Sequence, residues 1–344
     1  FAVSHVNGLG EIRNKILRER KHHKPLMIGL RFDFSNTPQP APLRVMRLSY
    51  VVTLDVRSDT HGAPIIEAEE MAAELRDAAG RLHPYHLRRT PHEVEISDPA
   101  RSEESELQKF QVPPEESSRL ALGIGFLSHP CVFLRHTIRN WRFFNIEPHV
   151  ARQPFKEIPD TNLGPAGEYL AVILQKLEQE NGRASLQSIV NGLKAALPGF
   201  RGLRTIHLPI EGKWAFQVLE DKIPGAINPD SVSDGAIRFL ALMVIAHWTC
   251  RNSPLVVIEE PENGLQPHLS EIITRMLRDA TNPHQVLVTT HNPEFLNFLQ
   301  PGEVILCDKN DGFTRLQKVA DAPSLRAFQH RFRIENLWIQ QRFA

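Results

Sequence analysis

The sequence predicts an α/β fold, and three stretches carry that expectation. Leu255-Val256-Val257-Ile258 is apolar, rich in β-branched residues and too short for a helix, the pattern of a strand buried on both faces. Gln285-Val286-Leu287-Val288-Thr289-Thr290 reads as a second strand, with a helix at about 268–281 between the two. Upstream, Ser233-Asp234-Gly235 opens a long apolar helix containing Phe239 to Ala246. Glu259 and Glu260 end the first strand, Pro261 stops its ladder by removing a donor, and His291 lies just past the second strand. Ligands of open α/β sheets bind beyond the carboxyl ends of the strands, so these side chains stand where chemistry is expected. Carboxylates at such a point hold magnesium on a phosphate or orient an attacking water. They also simply open a turn before a helix, and a single short motif does not separate the two readings.

Taken together, SDG before an apolar helix, then IEEPENGL, then VTTHNPEFL, resemble the C-terminal half of ABC-type ATPase heads of the RecF and SMC branch. They are more similar still to stand-alone AAA-family ATPases related to the OLD nucleases. The closer resemblance covers roughly residues 136–340, and a weaker one reaches back towards residue 5. It implies a P-loop ATPase head with a mixed-sheet core, an antiparallel β layer and a helical insertion. Residues 1–150 would form the remainder of the N-terminal lobe, and 151–344 the C-terminal lobe. The resemblance makes Glu259 the Walker B magnesium residue, with Glu replacing the usual Asp, and Glu260 the general base. Ser233, Asp234 and Gly235 become the signature motif, Asn263, Gly264 and Gln266 fall in the D-loop, and His291 is the switch histidine. ATP and Mg²⁺ are the implied cofactors.

Such an ATPase needs a Gly-rich loop ending in Gly-Lys-Ser/Thr, whose amides cradle the phosphates. No G-x-x-x-x-G-K-[ST] occurs in the sequence; Gly8-Leu9-Gly10 and Gly123-Ile124-Gly125 both lack the following Lys-Ser/Thr. Because the chain opens on Phe1, the Walker A strand and loop are expected to precede residue 1. A degenerate head that never binds ATP is the competing expectation, disfavoured by the intact Glu260 and His291.

Length and composition set the outer bounds. The 344 residues have room for one large domain or two lobes, and 41% hydrophobic with 23% charged residues suits a soluble globular chain. The longest apolar run, Phe239 to Ala246, is too short to cross a bilayer, and no signal-peptide pattern opens the sequence. Cys131, Cys250 and Cys307 are widely spaced and odd in number, indicating neither a disulfide framework nor a zinc site, so a reducing cytoplasm is expected. A net charge of zero gives no bulk electrostatic sign of nucleic-acid binding. His22, His23, His83 and His86 lack clustered ligand partners and read as surface residues.

In chain order, residues 11–24 form a basic helical pattern with Arg13, Lys15, Arg18, Arg20, Lys21 and Lys24, either a solvated face or a phosphate-contacting patch. Leu26–Phe34 and Leu48–Val56 read as strands joined by a Pro-rich loop at 37–42. Between 65 and 98, Ala and Glu favour helix at 67–79 while Gly80-Arg81 could turn a hairpin; strands are expected, following the resembling family. Residues 99–116 read as loop, 117–126 and 131–140 as helices, and Trp141–Ile146 as the strand returning the chain to the core. A Pro-rich extended segment at 148–165 precedes helices at about 166–179 and 184–196. A hairpin of Gly202–Pro209 and Trp214–Leu219 turns at Glu211-Gly212, and a final strand pair, Val304–Asp308 and Thr314–Val319, precedes a helical tail at 323–342. A fused Toprim nuclease domain is not expected in the length that remains, and no heptad run supports long SMC-type arms.

Function follows from these roles. Glu260, one residue beyond Glu259, is expected to point away from it by strand alternation and to polarise the attacking water. His291 would donate to the γ-phosphate. Ser233 as an N-cap contributes about 1 kcal/mol to its helix, and the same helix end attracts phosphate. In the resembling family that end contacts ATP bound to the other subunit, which implies a homodimer or higher oligomer through an ATP sandwich. Asp234 replaces the second Gly of the usual ABC signature and puts an acid near that phosphate. The expected function is an ATP-hydrolysing dimerisation switch coupled to DNA metabolism, repair or defence, with DNA and a separate nuclease or effector subunit as candidate partners. The rival is a non-hydrolysing scaffold that uses nucleotide to assemble with such an effector. A transporter ATPase is weakened by SDG and EEPE, and no membrane partner is expected.

Overall fold

A computed structural model describes residues 26–35, 39, 43–55, 65–99, 107–113, 120, 128–159, 161–179, 183–281, 284–310 and 313–319. The expected basic helix at 11–24, the helix at 117–126 and the tail at 323–342 lie outside these residues, apart from Leu120. The chain divides into two compact units, Phe1–Arg139 with Asp308–Arg315, and Asn140–Cys307 with Leu316–Ala344.

The first unit is an antiparallel meander of six strands in sequential order: β1 (Leu26–Asp33), β2 (Arg44–Asp55), β3 (Ile65–Arg76), β4 (Leu82–Arg89), β5 (Glu93–Ser97) and β6 (Gln108–Gln111). Alternation makes one face of it a core: Tyr85, Leu87 and Arg89 of β4 and Val94 and Ile96 of β5 are buried, and their neighbours less so. Helix α1 (His129–Arg139) adds Cys131 and Leu134 to that core. β3 shows tertiary context overriding propensity. Its Ala- and Glu-rich sequence favours helix, yet Met71, Ala73 and Leu75 meet the same core, which an isolated helix could not reach in that phase. A register shift between Thr53 and Leu54 of β2, opposite Ala68 and Ile66, flips the phase and turns Glu69 inward. Glu69 is fully buried, accepts from the Tyr50 hydroxyl at 2.8 Å and stands opposite the equally buried Arg89 in register. The sequence expectation of loop throughout 99–116 is corrected by β6, whose polar residues pair with β5 at the sheet edge and carry little hydrophobic signal.

The second unit is built around a parallel sheet in the order β11-β10-β7, from β7 (Arg142–Phe144), β10 (Leu255–Glu259) and β11 (Gln285–Thr289). The short helix α2 (Pro148–Ala151) follows β7, correcting the extended reading of that segment: Pro148 sits at the start of a helix, where a missing N–H costs nothing. Helices α3 (Leu170–Gln179) and α4 (Arg183–Ala196) lead into the hairpin of β8 (Phe200–Leu208) and β9 (Lys213–Glu220), which turns through Gly212 at φ 63°. Next comes α5 (Asp234–Val244), apolar almost all round because its Ile237, Phe239, Leu240, Leu242 and Val244 lie at the centre of the core. It runs on through a π-helical turn at Ile245–Thr249 into α6 (Cys250–Asn252). Helix α7 (Pro267–Asp279) joins β10 to β11, and α8 (Pro293–Leu296) follows β11; later in the chain β12 (Ile305–Asn310) and β13 (Phe313–Lys318) form a separate two-stranded sheet. The β-α-β order thus brings the carboxyl ends of β10 and β11 side by side. Among the described residues no helix is long and apolar enough to cross a membrane.

Candidate functional site

Glu259 is the last residue of β10, paired in register with Thr289 and exposed. Glu260 lies just outside the strand, so strand alternation does not set its direction. Its φ of 43°, one of only three positive values at non-glycine positions among the described residues, turns it instead. The kink is held by main-chain bonds: Glu260 N–H donates to Thr289 O at 2.9 Å, and Asn263 N–H donates to Glu260 O at 3.0 Å. Non-glycine residues held at positive φ cost about 1–3 kcal/mol each and cluster at functional sites. Across the gap, His291 presents Nε2 at 3.9 Å from Glu260 Oε1, and its ring is largely exposed. The carboxylate and the imidazole predicted from two separate motifs therefore meet.

The residues expected to form the signature motif take their own positions. Ser233 is the N-cap of α5, with its Oγ accepting the Ala236 N–H at 3.3 Å. Both Ser233 and Asp234 are exposed. Gly235, in the first turn of α5, lies against the loop at Gly264: a Cβ there would stand 3.0 Å from Gly264 O, a tight contact that a larger residue would relieve only by shifting the loop. Gly264 has φ 72°, and Asn263, Gly264 and Gln266 are exposed, Gln266 serving as backbone N-cap of α7 without a side-chain cap bond.

Two arginines that the sequence reading passed over organise this surface. Arg152, at the end of α2, is largely buried and donates to Pro229 O at 2.9 Å, Val232 O at 2.7 Å and Asp234 Oδ1 at 2.6 Å. Asp234 is thus tied to a cation of its own chain, which blunts the acid expected to face phosphate. No sequence signal pointed to Arg152, because its segment read as extended. Arg238 is half-buried one turn into α5; burial lowers its pKa, opposed by the negative charges of Asp234, Glu260 and Glu147. A single cation within an otherwise apolar helix, four residues after Asp234, was a legible signal for it.

Arg152→Ala should remove the clamp on the loop before α5. Loss of a charge-assisted bond costs roughly 1.5–3 kcal/mol, and Lys, lacking the planar fork, should recover only part. Thermal melting of the three proteins measures this; equal midpoints would show that the clamp contributes nothing to stability.

The donor set fits a magnesium ion on a nucleotide. Glu259 is an exposed hard oxygen donor, and Mg²⁺ is usually held by one or two carboxylates with waters and phosphate oxygens completing its shell. Among the described residues no group of three or more His, Cys, Asp or Glu side chains is placed to hold a metal ion by itself.

No curated protein matches the sequence. Among solved structures, an SMC head bound to the C-terminal winged-helix domain of ScpA is 12% identical, with 78% of this chain and 74% of that one covered and a TM-score of 0.37. The SMC head domain from Thermotoga maritima is 11% identical, over 82% of this chain and 76% of that one, with a TM-score of 0.33. An Smc head with an extended coiled coil, bound to the C-terminal domain of ScpA and derived from Pyrococcus furiosus, is 11% identical over 79% and 82%, with a TM-score of 0.35. Residues 69–297, more than half of the sequence, match the family described as "AAA domain, putative AbiEii toxin, Type IV TA system", and the chain belongs to that family.

Proposed function

We propose that this AAA domain hydrolyses ATP, with Glu260 as general base and His291 as the switch residue on the γ-phosphate side. The observation that carries the reading is the approach of Glu260 Oε1 to His291 Nε2, 3.9 Å, at the ends of adjacent parallel strands. Glu259 would hold Mg²⁺, which when bound neutralises charge on the β- and γ-phosphates. Glu260 accepts a proton from water, which needs a carboxylate near the γ-phosphate; His291, itself solvent-accessible, brings Nε2 to 3.9 Å from its Oε1. The exposed end of α5 at Ser233 offers backbone amides and the positive end of a helix dipole to a phosphate. Because the motifs resemble those of RecF-, SMC- and OLD-related ATPases, we extend the reading to an ATP-dependent dimer in which that helix end serves the partner's nucleotide, coupled to DNA metabolism or defence.

The test is steady-state phosphate release by the full-length protein, with and without DNA, in Mg²⁺ and after its removal by chelation. Magnesium-dependent release is expected. ATP binding without any release would instead identify a scaffold that uses nucleotide for assembly alone.

A further inference from the structure

We infer that Glu262 and Thr290 form a strut that sets the separation of Glu260 and His291, an inference that rests on the ATPase reading above. The two reacting side chains leave the sheet on different loops, and neither is immobilised by packing: the His291 side chain is 84% exposed and that of Glu260 39% exposed. Their geometry therefore depends on how the two loops are held together. One tie is the main-chain bond from Glu260 N–H to Thr289 O. The second is made by side chains. The Thr290 hydroxyl donates to Glu262 Oε1 and accepts the Asn292 N–H at 3.0 Å, so the residues on either side of His291 are fixed through one oxygen atom. Glu262 stands two residues after Glu260, across the buried Pro261, and is itself only 7% exposed.

Packing does not account for a glutamate here. Its Oε2 is buried with no hydrogen-bond partner among the described residues, a costly arrangement that an apolar side chain of similar size would avoid. What Glu262 supplies, and Leu or Met could not, is the acceptor for Thr290. The hydroxyl proton goes to Glu262 and a lone pair to Asn292, so removing the hydroxyl releases both contacts at once. Glu262 and Thr290 are positioning residues: neither is assigned contact with substrate.

Thr290→Val keeps the side-chain shape and removes the hydroxyl. In the full-length protein kcat should fall about 10–100-fold, the scale on which small misplacement of reacting groups acts, with KM changed less than about threefold. In nucleotide-free protein, hydrogen exchange of the Asn292 amide should accelerate. Thr290→Ser should restore both readouts, and Glu262→Gln, which keeps a carbonyl acceptor, should retain more activity than Glu262→Leu. The double variant Thr290→Val/Glu262→Leu should be no slower than the slower single, as expected of two halves of one contact. Wild-type kcat in a folded Thr290→Val protein overturns the positioning role, and unchanged Asn292 exchange overturns the strut itself. If the wild-type protein releases no phosphate, the ATPase reading fails and the kinetic role with it, while the exchange measurement still decides whether the strut exists.

Discussion

Glu260→Gln is expected to leave ATP bound and to lower steady-state phosphate release by about 10²–10⁴-fold, the range for losing general acid–base assistance. The substitution is nearly isosteric, and the features that hold residue 260 in place are indifferent to it. Its amide bond to Thr289 O and its carbonyl bond from Asn263 belong to the main chain. Its φ of 43° is equally unfavourable for Gln, so backbone strain is unchanged. What is lost is the proton acceptor facing His291 and a negative charge that, with Asp234 and Glu147, offsets the burial of Arg238. Removing a negative charge near the expected γ-phosphate should also lengthen the life of the ATP-bound form. Phosphate release, nucleotide affinity by calorimetry and melting temperature separate these effects. Turnover at the wild-type rate removes Glu260 from the role of base, whereas a fall in melting temperature in place of turnover makes it a structural residue.

The parts of this site that were legible in the sequence are those fixed by local rules. Val256 and Ile258, buried on a central parallel strand, leave an uninterrupted apolar run, and the carboxylates beyond it stand at the sheet's carboxyl edge for the same topological reason. Ser233 was legible as an N-cap because a hydroxyl before an apolar helix is a local signal. The rest depended on contacts distant in sequence. Arg152 reaches a loop some eighty residues away, and nothing near it announces that partner. The orientation of Glu260 was expected from strand alternation, but β10 ends one residue earlier and a left-handed backbone turns the side chain. In the first unit, Glu69 would be placed on the solvent side by simple alternation from Ile66; the register shift against β2 turns it into the core, where Tyr50 and the strand opposite receive it. The strand β6 was missed for a further reason: an edge strand needs few apolar residues, and Gln108–Gln111 has a single Phe.

Ser233→Arg is expected to abolish turnover in a homodimer, and mixing it with Glu260→Gln should restore part of what each has lost. Ser233 is exposed at the start of α5, so an arginine there projects outward and blocks the helix end without entering the core. Gly235, which does pack against Gly264 O, is left intact, as is the clamp of Arg152 on Asp234. If two subunits sandwich two nucleotides, each site draws Glu260 and His291 from one chain and Ser233 from the other. In a mixed dimer the Ser233→Arg chain offers an intact Glu260 and its partner an intact Ser233, so one site is wholly wild type while the other carries both lesions. Random pairing makes roughly half the dimers mixed, so about a quarter of wild-type activity should return if the two sites of a twofold dimer act independently. Coupling between sites lowers that figure, and covalently linked subunits remove the mixing statistics altogether. Linked mixed dimers that bind ATP yet hydrolyse no faster than either mutant homodimer exclude an independent shared site. A fully active Ser233→Arg homodimer reduces Ser233 to its bond with Ala236, a helix cap and nothing more.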